Sequence, residues 1–243
     1  MSKQIESFGF KPGRKVGTQY TIEGFLGGGY EGEVYQIRER DTGILRAAKF
    51  YFPHRNPKQK ASVRHARKLN SLRHCPIVLQ YHHSEVIKVR KDPVVALISD
   101  LCESEPLERW LARYRGRRLK PYLALHVLYN LVRGLESIHA LGEYHSDVHS
   151  ANILVEPRGV RFDLKLIDFY DWGAPAIWKQ KQDITDAINV FYECLGNGDS
   201  YAKLPPEIKY ICAGRIRTLI LRRFPTIIAL RQHLECFEWQ GAL

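Results

Sequence analysis

Short runs in which apolar and polar residues alternate fill much of the first hundred positions of the chain. This alternation is typical of β-strands, because successive side chains of a strand point to opposite faces of its sheet. Five strands are predicted, at residues 20–26, 33–38, 44–52, 81–89 and 94–99. A basic segment at 57–74, with Leu69 and Leu72 on one face, predicts one helix. We therefore expect a five-stranded antiparallel sheet accompanied by a single helix.

Beyond residue 104 the apolar residues recur every three or four positions, which is the spacing of amphipathic helices. Helices are predicted at 107–114, 121–141, 184–195, 205–221 and 225–237. The change of pattern predicts an α+β fold with two lobes. Its divisions are an N-terminal extension at 1–19, a sheet lobe at 20–99, a connecting segment at 100–104 and a helical lobe at 105–243.

One stretch of the helical half breaks this pattern. Two apolar runs, at 153–155 and 162–167, are joined by a short turn and predict a β-hairpin. Asp147 and Asn152 precede the hairpin and Asp168 follows it directly. We therefore expect these three polar side chains to meet at one end of the hairpin.

Phosphoryl transfer on a magnesium nucleotide is the chemistry that suits these three residues. Magnesium prefers one or two protein oxygen ligands together with substrate phosphates, a role open to Asn152 and Asp168. Asp147 is then available to orient a hydroxyl and accept its proton. A lone loop aspartate is more often a turn former. The combination of H-x-D-x-x-x-x-N, an apolar strand and I-D-F is what favours catalysis.

A glycine-rich turn follows the first predicted strand and has the pattern G-x-G-x-x-G-x-V, formed by Gly27, Gly29, Gly32 and Val34. Glycine lets backbone amides approach phosphate oxygens closely. Because a strand follows the glycines, where a dinucleotide-binding fingerprint requires a helix, the pattern favours a flap over a nucleotide. The alternative is a flexible hairpin tip.

Lys49 lies late in the third strand among Ala47, Ala48, Phe50 and Tyr51. An inward-pointing lysine near a glycine-rich turn is expected to contact phosphate. The alternative is a surface lysine with a buried stem.

Composition narrows the class of protein. The 243 residues are 44% hydrophobic and 26% charged, which is ordinary for a soluble globular protein. The sequence has no apolar run of membrane-spanning length and no secretory signal at its N-terminus, so a cytoplasmic location is expected. The five cysteines are scattered and odd in number, which disfavours both a disulfide framework and a zinc site.

The net charge of +11 favours acidic partners, such as nucleotide phosphates, nucleic acid, acidic protein segments or anionic lipid. The alternative is a basic solvated surface without a specific partner.

With these motifs in place, the chain resembles the eukaryotic-type protein kinases over residues 18–238. The segments that carry the resemblance are FLGGGYEGEVY, AAK, LISDLCE, HSDVHSAN, LIDFY and DITDAINVFYECLG. The resemblance implies a bilobal kinase-like fold that uses ATP and Mg²⁺ to phosphorylate a hydroxyl-bearing substrate. The compact form is similar to atypical bacterial and archaeal kinases.

The resemblance also implies a role for each matching residue. Gly27, Gly29 and Gly32 would cover the phosphates, and Lys49 would contact the α- and β-phosphates. The residues implied to enclose adenine or bind its edge are Val34, Ala47, Leu154, Asp100 and Cys102. Asp147 would be the base, Asn152 and Asp168 would bind magnesium, and Asp183 would brace the catalytic loop.

Several positions depart from the family pattern. The acid expected to pair with Lys49 falls at His65, and no Asp or Glu lies between residues 42 and 84. Ser146 replaces the arginine of the catalytic loop, and His149 replaces its lysine. Tyr170 replaces a glycine after Asp168, and the activation segment is shortened, with Ala174-Pro175-Ala176 only an echo of the usual A-P-E.

These departures leave several functions open. The first is an active phosphotransferase resembling Ser/Thr protein kinases. The second is a pseudokinase that serves as a nucleotide-binding or interaction module. The third is a small-molecule kinase of the aminoglycoside-phosphotransferase type, which His149 favours. The fourth is a nucleic-acid-associated kinase or ATPase, favoured by the basic residues Lys58, Lys60, Arg64, Arg67 and Lys68.

Overall fold

The computed structural model describes residues 4–159, 161–169, 177–198 and 201–238. The chain forms two compact units. The sheet unit contains Met1–His74 and Leu79–Glu103, and the helical unit contains Cys75–Val78 and Ser104–Leu243. The expected α+β fold, with one lobe built on a sheet and one on helices, is confirmed.

The sheet unit is built on a six-stranded antiparallel sheet in the order β1-β2-β3-β4-β6-β5. Its strands are β1 (Lys15–Val16), β2 (Tyr20–Gly28), β3 (Gly32–Glu39), β4 (Leu45–Tyr51), β5 (Tyr81–Val89) and β6 (Asp92–Asp100). The last five correspond to the strands that the alternating pattern predicts. The two-residue strand β1 is additional, because it is too short to give a periodic signal.

The N-terminal strap, residues 4–16, covers one face of this sheet. Its apolar residues Ile5, Phe8, Phe10 and Val16 are buried in the same core as Phe50. Phe10 packs against Phe8 with ring centroids 5.2 Å apart and meets the edge of Phe50 at 5.1 Å. The strap is thus part of the hydrophobic core of the sheet unit.

A buried carboxylate, Glu33, joins the strap to β3. The backbone N–H of Phe8 donates to Glu33 Oε2 at 3.0 Å, and the Tyr35 hydroxyl donates to the same oxygen at 2.6 Å. The N–H of Phe10 in turn donates to the Tyr35 hydroxyl at 3.2 Å. Burial, followed by the bond to Glu33, raises the pKa of Tyr35 to about 12.

Helix α1 (Lys60–Ser71) begins three residues later than the predicted segment and ends three residues earlier. Its start is set by Asn56, whose Oδ1 accepts from the N–H groups of Ala61 and Ser62 at 3.0 and 3.2 Å. Lys58 and Gln59 have positive φ angles of 54° and 58°, so they cannot continue the helix toward its N-terminus.

The helical unit combines six helices with a small sheet in the described part of the chain. The helices are α2 (Leu107–Leu111), α3 (Pro121–His139), α4 (Ile177–Cys194), α5 (Pro206–Cys212), α6 (Arg217–Arg223) and α7 (Ile227–Cys236). Strands β7 (Glu105–Pro106), β8 (Ile153–Arg158) and β9 (Arg161–Leu166) form a three-stranded antiparallel sheet. The predicted hairpin is therefore present as β8 and β9.

Two helix predictions need correction. Helix α4 starts at Ile177, seven residues before the predicted start, because polar residues hide the beginning of its buried face. The single helix predicted at 205–221 is instead α5 and α6. Ala213, Gly214 and Arg215 adopt left-handed φ angles of 48°, 61° and 61°, which end one helix before the next begins.

None of the helices in the described ranges is long and apolar enough to cross a lipid bilayer.

Candidate functional site

The glycine-rich turn lies between β2 and β3 and is tied to β4. Gly27 is paired with Val34 across β2 and β3, and the N–H of Gly29 donates to the carbonyl of Gly32 at 2.9 Å. A Cβ on Gly32 would lie 2.0 Å from the carbonyl oxygen of Phe50, so a side chain there would force the strands apart. The turn therefore requires glycine at this position.

Lys49 lies on β4 opposite Val34. Its ammonium donates to Glu31 Oε2 at 3.1 Å and lies 5.3 Å from the centre of the Tyr51 ring. Glu31 is at the tip of the glycine-rich turn, and the sequence analysis did not single it out. The sequence feature that could have pointed to Glu31 is its position between Gly29 and Gly32, since an acid is unexpected in a loop thought to contact phosphates.

At the position of α1 where the sequence was expected to carry an acid, His65 instead contacts Tyr51. His65 Nδ1 and the Tyr51 hydroxyl are 2.6 Å apart. Because Tyr51 is next but one to Lys49 on the same strand, α1 reaches β4 at this point without contributing a carboxylate.

The residues predicted to enclose adenine are placed as follows within the sheet unit. Ala47 lies two residues before Lys49, and Val34 lies opposite Lys49, so all three side chains share one face of the sheet. Asp100 ends β6, where its backbone N–H donates to the carbonyl of Gln80 at 2.9 Å. Cys102 follows in the half-buried segment after β6.

The Asp100 side chain belongs to a charged cluster on the same sheet. Asp100 Oδ1 accepts from Arg46 at 3.1 Å and lies 2.7 Å from His82 Nε2. Arg46 also pairs with Glu39 at 3.3 Å. These contacts fix the start of the segment that leads out of the sheet.

In the helical unit, Asp147 and Asn152 are in direct contact. The Asn152 side-chain nitrogen donates to the Asp147 carbonyl at 3.0 Å and to Asp147 Oδ2 at 3.3 Å. The Asp147 side chain is 48% exposed, and His149 Nε2 lies 3.6 Å from its carboxylate. Asp147 thus presents an open carboxylate whose orientation is set by a buried amide.

The hairpin brings Asn152 and Asp168 to one end, as predicted. Ile153 pairs with Leu166, and the N–H of Ile167 donates to the carbonyl of Asn152 at 3.0 Å. Asp168 follows with a left-handed φ of 57°, a conformation that non-glycine residues adopt mainly where the surroundings enforce it. Leu154, the other residue predicted for this half of the site, is buried on β8.

Asp183 on α4 is the centre of the hydrogen bonds that hold the loop at residues 145–147. Its carboxylate accepts from the backbone N–H groups of His145 at 2.8 Å and Ser146 at 2.6 Å. His139 Nε2 at the end of α3 lies 3.0 Å from the same carboxylate. Asp183 therefore joins two helices to the loop that carries Asp147.

His145 connects this loop to the segment around Asp168. The Asp147 N–H donates to His145 Nδ1 at 3.3 Å. Because Nδ1 is the acceptor, the ring carries its hydrogen on Nε2. His145 Nε2 then donates to the carbonyl of Ile167 at 2.9 Å. The same ring packs on Phe169 with centroids 4.5 Å apart.

Lys179 is a further contact to the loop that the sequence pattern did not reveal. It is buried on α4, and its ammonium donates to the Ser146 hydroxyl at 3.0 Å while lying 4.3 Å from the Trp178 ring. Burial lowers the pKa of Lys179. A lysine of α4 thus contacts the residue that replaces the expected arginine.

Some predicted features lie outside the described residues, namely Tyr170 and Ala174-Pro175-Ala176. Within the described residues, no three His, Cys, Asp or Glu side chains are grouped so that they could hold a metal ion by themselves. The oxygen atoms of Asn152 and Asp168 fit magnesium, which binds through few protein ligands and completes its shell with phosphates and water.

Comparison with known proteins gives one family. Residues 20–190 match the sequence profile described as protein kinase domain. The chain is 29% identical over 165 residues to the serine/threonine-protein kinase PkaA of Streptomyces coelicolor, covering 64% of this chain and 30% of PkaA. It is 30% identical over 181 residues to the human MAPK/MAK/MRK overlapping kinase, covering 72% of this chain and 41% of that protein.

The fold is also similar to a solved structure. The PknI kinase domain of Mycobacterium tuberculosis, solved as a double mutant, superposes with a TM-score of 0.67 at 18% identity, covering 93% of this chain and 96% of that one. The chain spans less than half the length of the curated relatives named above.

Proposed function

Because the chain belongs to the protein kinase family, we propose that it transfers the γ-phosphate of ATP to a hydroxyl, with a serine or threonine side chain of a protein as the acceptor. The observation that carries this proposal is the grouping of Asp147, Asn152 and Asp168 at one end of the β8–β9 hairpin. The name of PkaA as a serine/threonine-protein kinase supports the acceptor.

Each of the predicted site residues has a role in this proposal. Asn152 and Asp168 would hold magnesium, which neutralises phosphate charge when bound. The sheet unit offers the Lys49 ammonium and the backbone of the glycine-rich turn to the phosphates. Val34, Ala47 and Leu154 offer apolar contact to adenine, and the backbone of Asp100 and Cys102 offers hydrogen bonds to its edge.

Asp147 would orient the acceptor hydroxyl and take its proton. Its carboxylate is half-exposed, so a hydroxyl can reach it. Asn152 fixes the carboxylate directly, and Asp183 fixes the loop backbone on the preceding side. Catalysis of this kind depends mainly on position and charge, with little covalent work by the protein.

The test is phosphate transfer to a panel of serine- and threonine-containing proteins, measured with magnesium ATP. Asp147→Asn and Asp168→Asn should each lower the rate by about 100-fold or more. Asp163→Asn is the matched control, because Asp163 is an exposed aspartate on the same hairpin. Equal rates in wild type and Asp147→Asn would reject the role of Asp147.

A second candidate is a nucleotide-binding module without transfer activity, favoured by the His65–Tyr51 contact where the family has an acid. Binding of magnesium ATP by a protein that modifies none of the acceptors would establish it. Including aminoglycosides and choline among the acceptors tests the small-molecule alternative, which rests on His149 beside Asp147.

A further inference from the structure

The tip of the glycine-rich turn is fixed by contacts that do not use the Glu31 carboxylate. The N–H of Phe52 donates to the Glu31 carbonyl at 2.9 Å. Tyr30 accepts a hydrogen bond from Arg55, whose guanidinium carbon lies 3.8 Å from the centre of the Tyr30 ring. The backbone of the tip is therefore held by its neighbours, and the Glu31 side chain is left to interact with Lys49.

The pair between Glu31 and Lys49 is partly buried, with side-chain exposures of 29% and 14%. An ion pair in such surroundings is screened less than one on the open surface. The carboxylate of this pair belongs to the loop whose backbone is proposed to cover phosphates. Helix α1 contains no Asp or Glu that could pair with Lys49 in its place. The carboxylate and a phosphate would consequently approach the same ammonium from the same loop.

We propose that Glu31 competes with the nucleotide phosphates for Lys49 and thereby sets the affinity for ATP. In the nucleotide-free protein the carboxylate neutralises the ammonium. Binding of the phosphate chain displaces the carboxylate from the ammonium, so the free energy of the Glu31–Lys49 ion pair is lost when ATP binds. A nucleoside without phosphates leaves the pair in place. The inference rests on the proposed nucleotide site and assigns Glu31 as a residue that determines specificity for phosphate number.

Glu31→Gln provides the test, because glutamine keeps the size of the side chain and removes its charge. Dissociation constants for magnesium ATP, ADP and adenosine are measured in the 243-residue chain by calorimetry. We expect Glu31→Gln to bind ATP about 3- to 10-fold more tightly than wild type, with adenosine unchanged. Glu23→Gln is the matched control, since Glu23 is on β2 and pairs with the exposed Arg38.

A double-mutant cycle measures whether the effect of Glu31 on ATP affinity depends on Lys49. In the Lys49→Met background, Glu31→Gln should change ATP affinity by less than 2-fold, or about 0.4 kcal/mol. Weaker ATP binding by Glu31→Gln in the wild-type background would overturn the proposal, because it would make Glu31 a support for Lys49 rather than a competitor. An equal gain in both backgrounds would overturn it as well.

A second measurement needs no nucleotide. Acylation of Lys49 by an amine-reactive reagent, followed by mass spectrometry, should be faster in Glu31→Gln than in wild type, with exposed Lys88 as the internal reference. Unchanged reactivity would show that the pair does not restrain Lys49. If this reactivity rises but no variant binds ATP, the nucleotide site fails and the Glu31–Lys49 pair stands.

Discussion

Asp183 is the residue on which the geometry of the loop that carries Asp147 depends. It is fully buried and accepts bonds from two backbone N–H groups of the loop. Asp183→Ala would leave these groups and His139 without their partner, at a cost of about 3 kcal/mol or more. Urea unfolding of the variant measures this loss. A loss below about 1 kcal/mol would contradict the central place given to Asp183.

Asp186 lies one turn further along α4. Replacing Asp186 should raise the stability of the protein near neutral pH, whereas replacing Asp183 should lower it. Burial, with smaller contributions from Asp183 and Asp147, raises the pKa of Asp186 to about 6. Between about pH 4 and pH 6 the folded protein holds a proton on Asp186 that the unfolded chain, with an ordinary carboxyl pKa of about 3.9, has released. The contribution of Asp186 to stability is therefore present below about pH 4 and is lost as the pH rises through 6.

Asp186→Asn removes this loss and keeps an oxygen for the bond that Gln182 donates. The variant should be more stable than wild type at pH 7.5 by about 1 kcal/mol, allowing for solvent screening of a partly exposed carboxyl. The difference should disappear below about pH 4. Thermal unfolding across this range measures it, and a difference independent of pH would exclude titration of Asp186 as its cause.

The sequence motifs identify the site residues that lie at recognisable spacings. They do not identify residues whose place in the site depends on a contact with another part of the chain. Asp147, Asn152 and Asp168 have fixed spacing around a hairpin, so local pattern alone brought them together. Glu31 and Lys179 have no such spacing. Lys179 meets Ser146 across 33 positions, and only the packing of α4 against the loop decides that contact.

Among the structural elements, the N-terminal strap has the clearest energetic consequence. Phe10 is 5% exposed and contacts Phe8, Tyr35 and Phe50. Phe10→Ala should lower the free energy of unfolding by about 3–5 kcal/mol. Val86→Ala, which alters a 54% exposed residue on β5, should change it by no more than about 0.5 kcal/mol.

Chemical denaturation of the two variants provides the comparison. Equal stabilities would mean that the strap is not part of the cooperative fold of the sheet unit. A large loss in Phe10→Ala alone would show that residues before β2 support the strand that carries the glycine-rich turn.

The elements differ in how readily the sequence predicts them. The sequence predicts strands β2 to β6 by two kinds of pattern. Buried and less buried residues alternate in part of β3, whereas β6 is a short continuous apolar run whose residues 94–98 are all buried. The strap has widely spaced apolar residues without a period, and its burial depends on the distant partner Glu33. The break between α5 and α6 was missed although Gly214 signals a left-handed backbone, because its neighbours Ala213 and Arg215 are not residue types that do so.

At the scale of the whole molecule, ligand binding should be visible as stability. Magnesium ATP at about 100 times its dissociation constant adds about 2.7 kcal/mol to the native state. For a chain of this length, the melting temperature should rise by about 5 °C or more. Lys49→Met should lose most of the rise, whereas Lys88→Met, at an exposed site on β5, should keep it.

A rise of equal size in Lys49→Met would rule out a contribution of Lys49 to nucleotide binding.

The resemblance of the sequence to kinases was sufficient to predict the overall fold, because its motifs occur in order along the whole chain. The missing acid near His65 was also visible in the sequence. The carboxylate that Lys49 contacts instead was not, since it comes from the opposite direction along the chain.

The division into two units has a spectroscopic consequence. The tryptophans in the described part of the chain, Trp110 and Trp178, both belong to the helical unit. With Trp172 and Trp239 replaced by phenylalanine, indole emission follows the helical unit alone, while far-ultraviolet circular dichroism averages the two units. Superimposable melting curves from the two signals would mean that the units unfold together, and separated curves would give each its own transition. Two native tryptophans thus serve as a fluorescent label on one half of the chain.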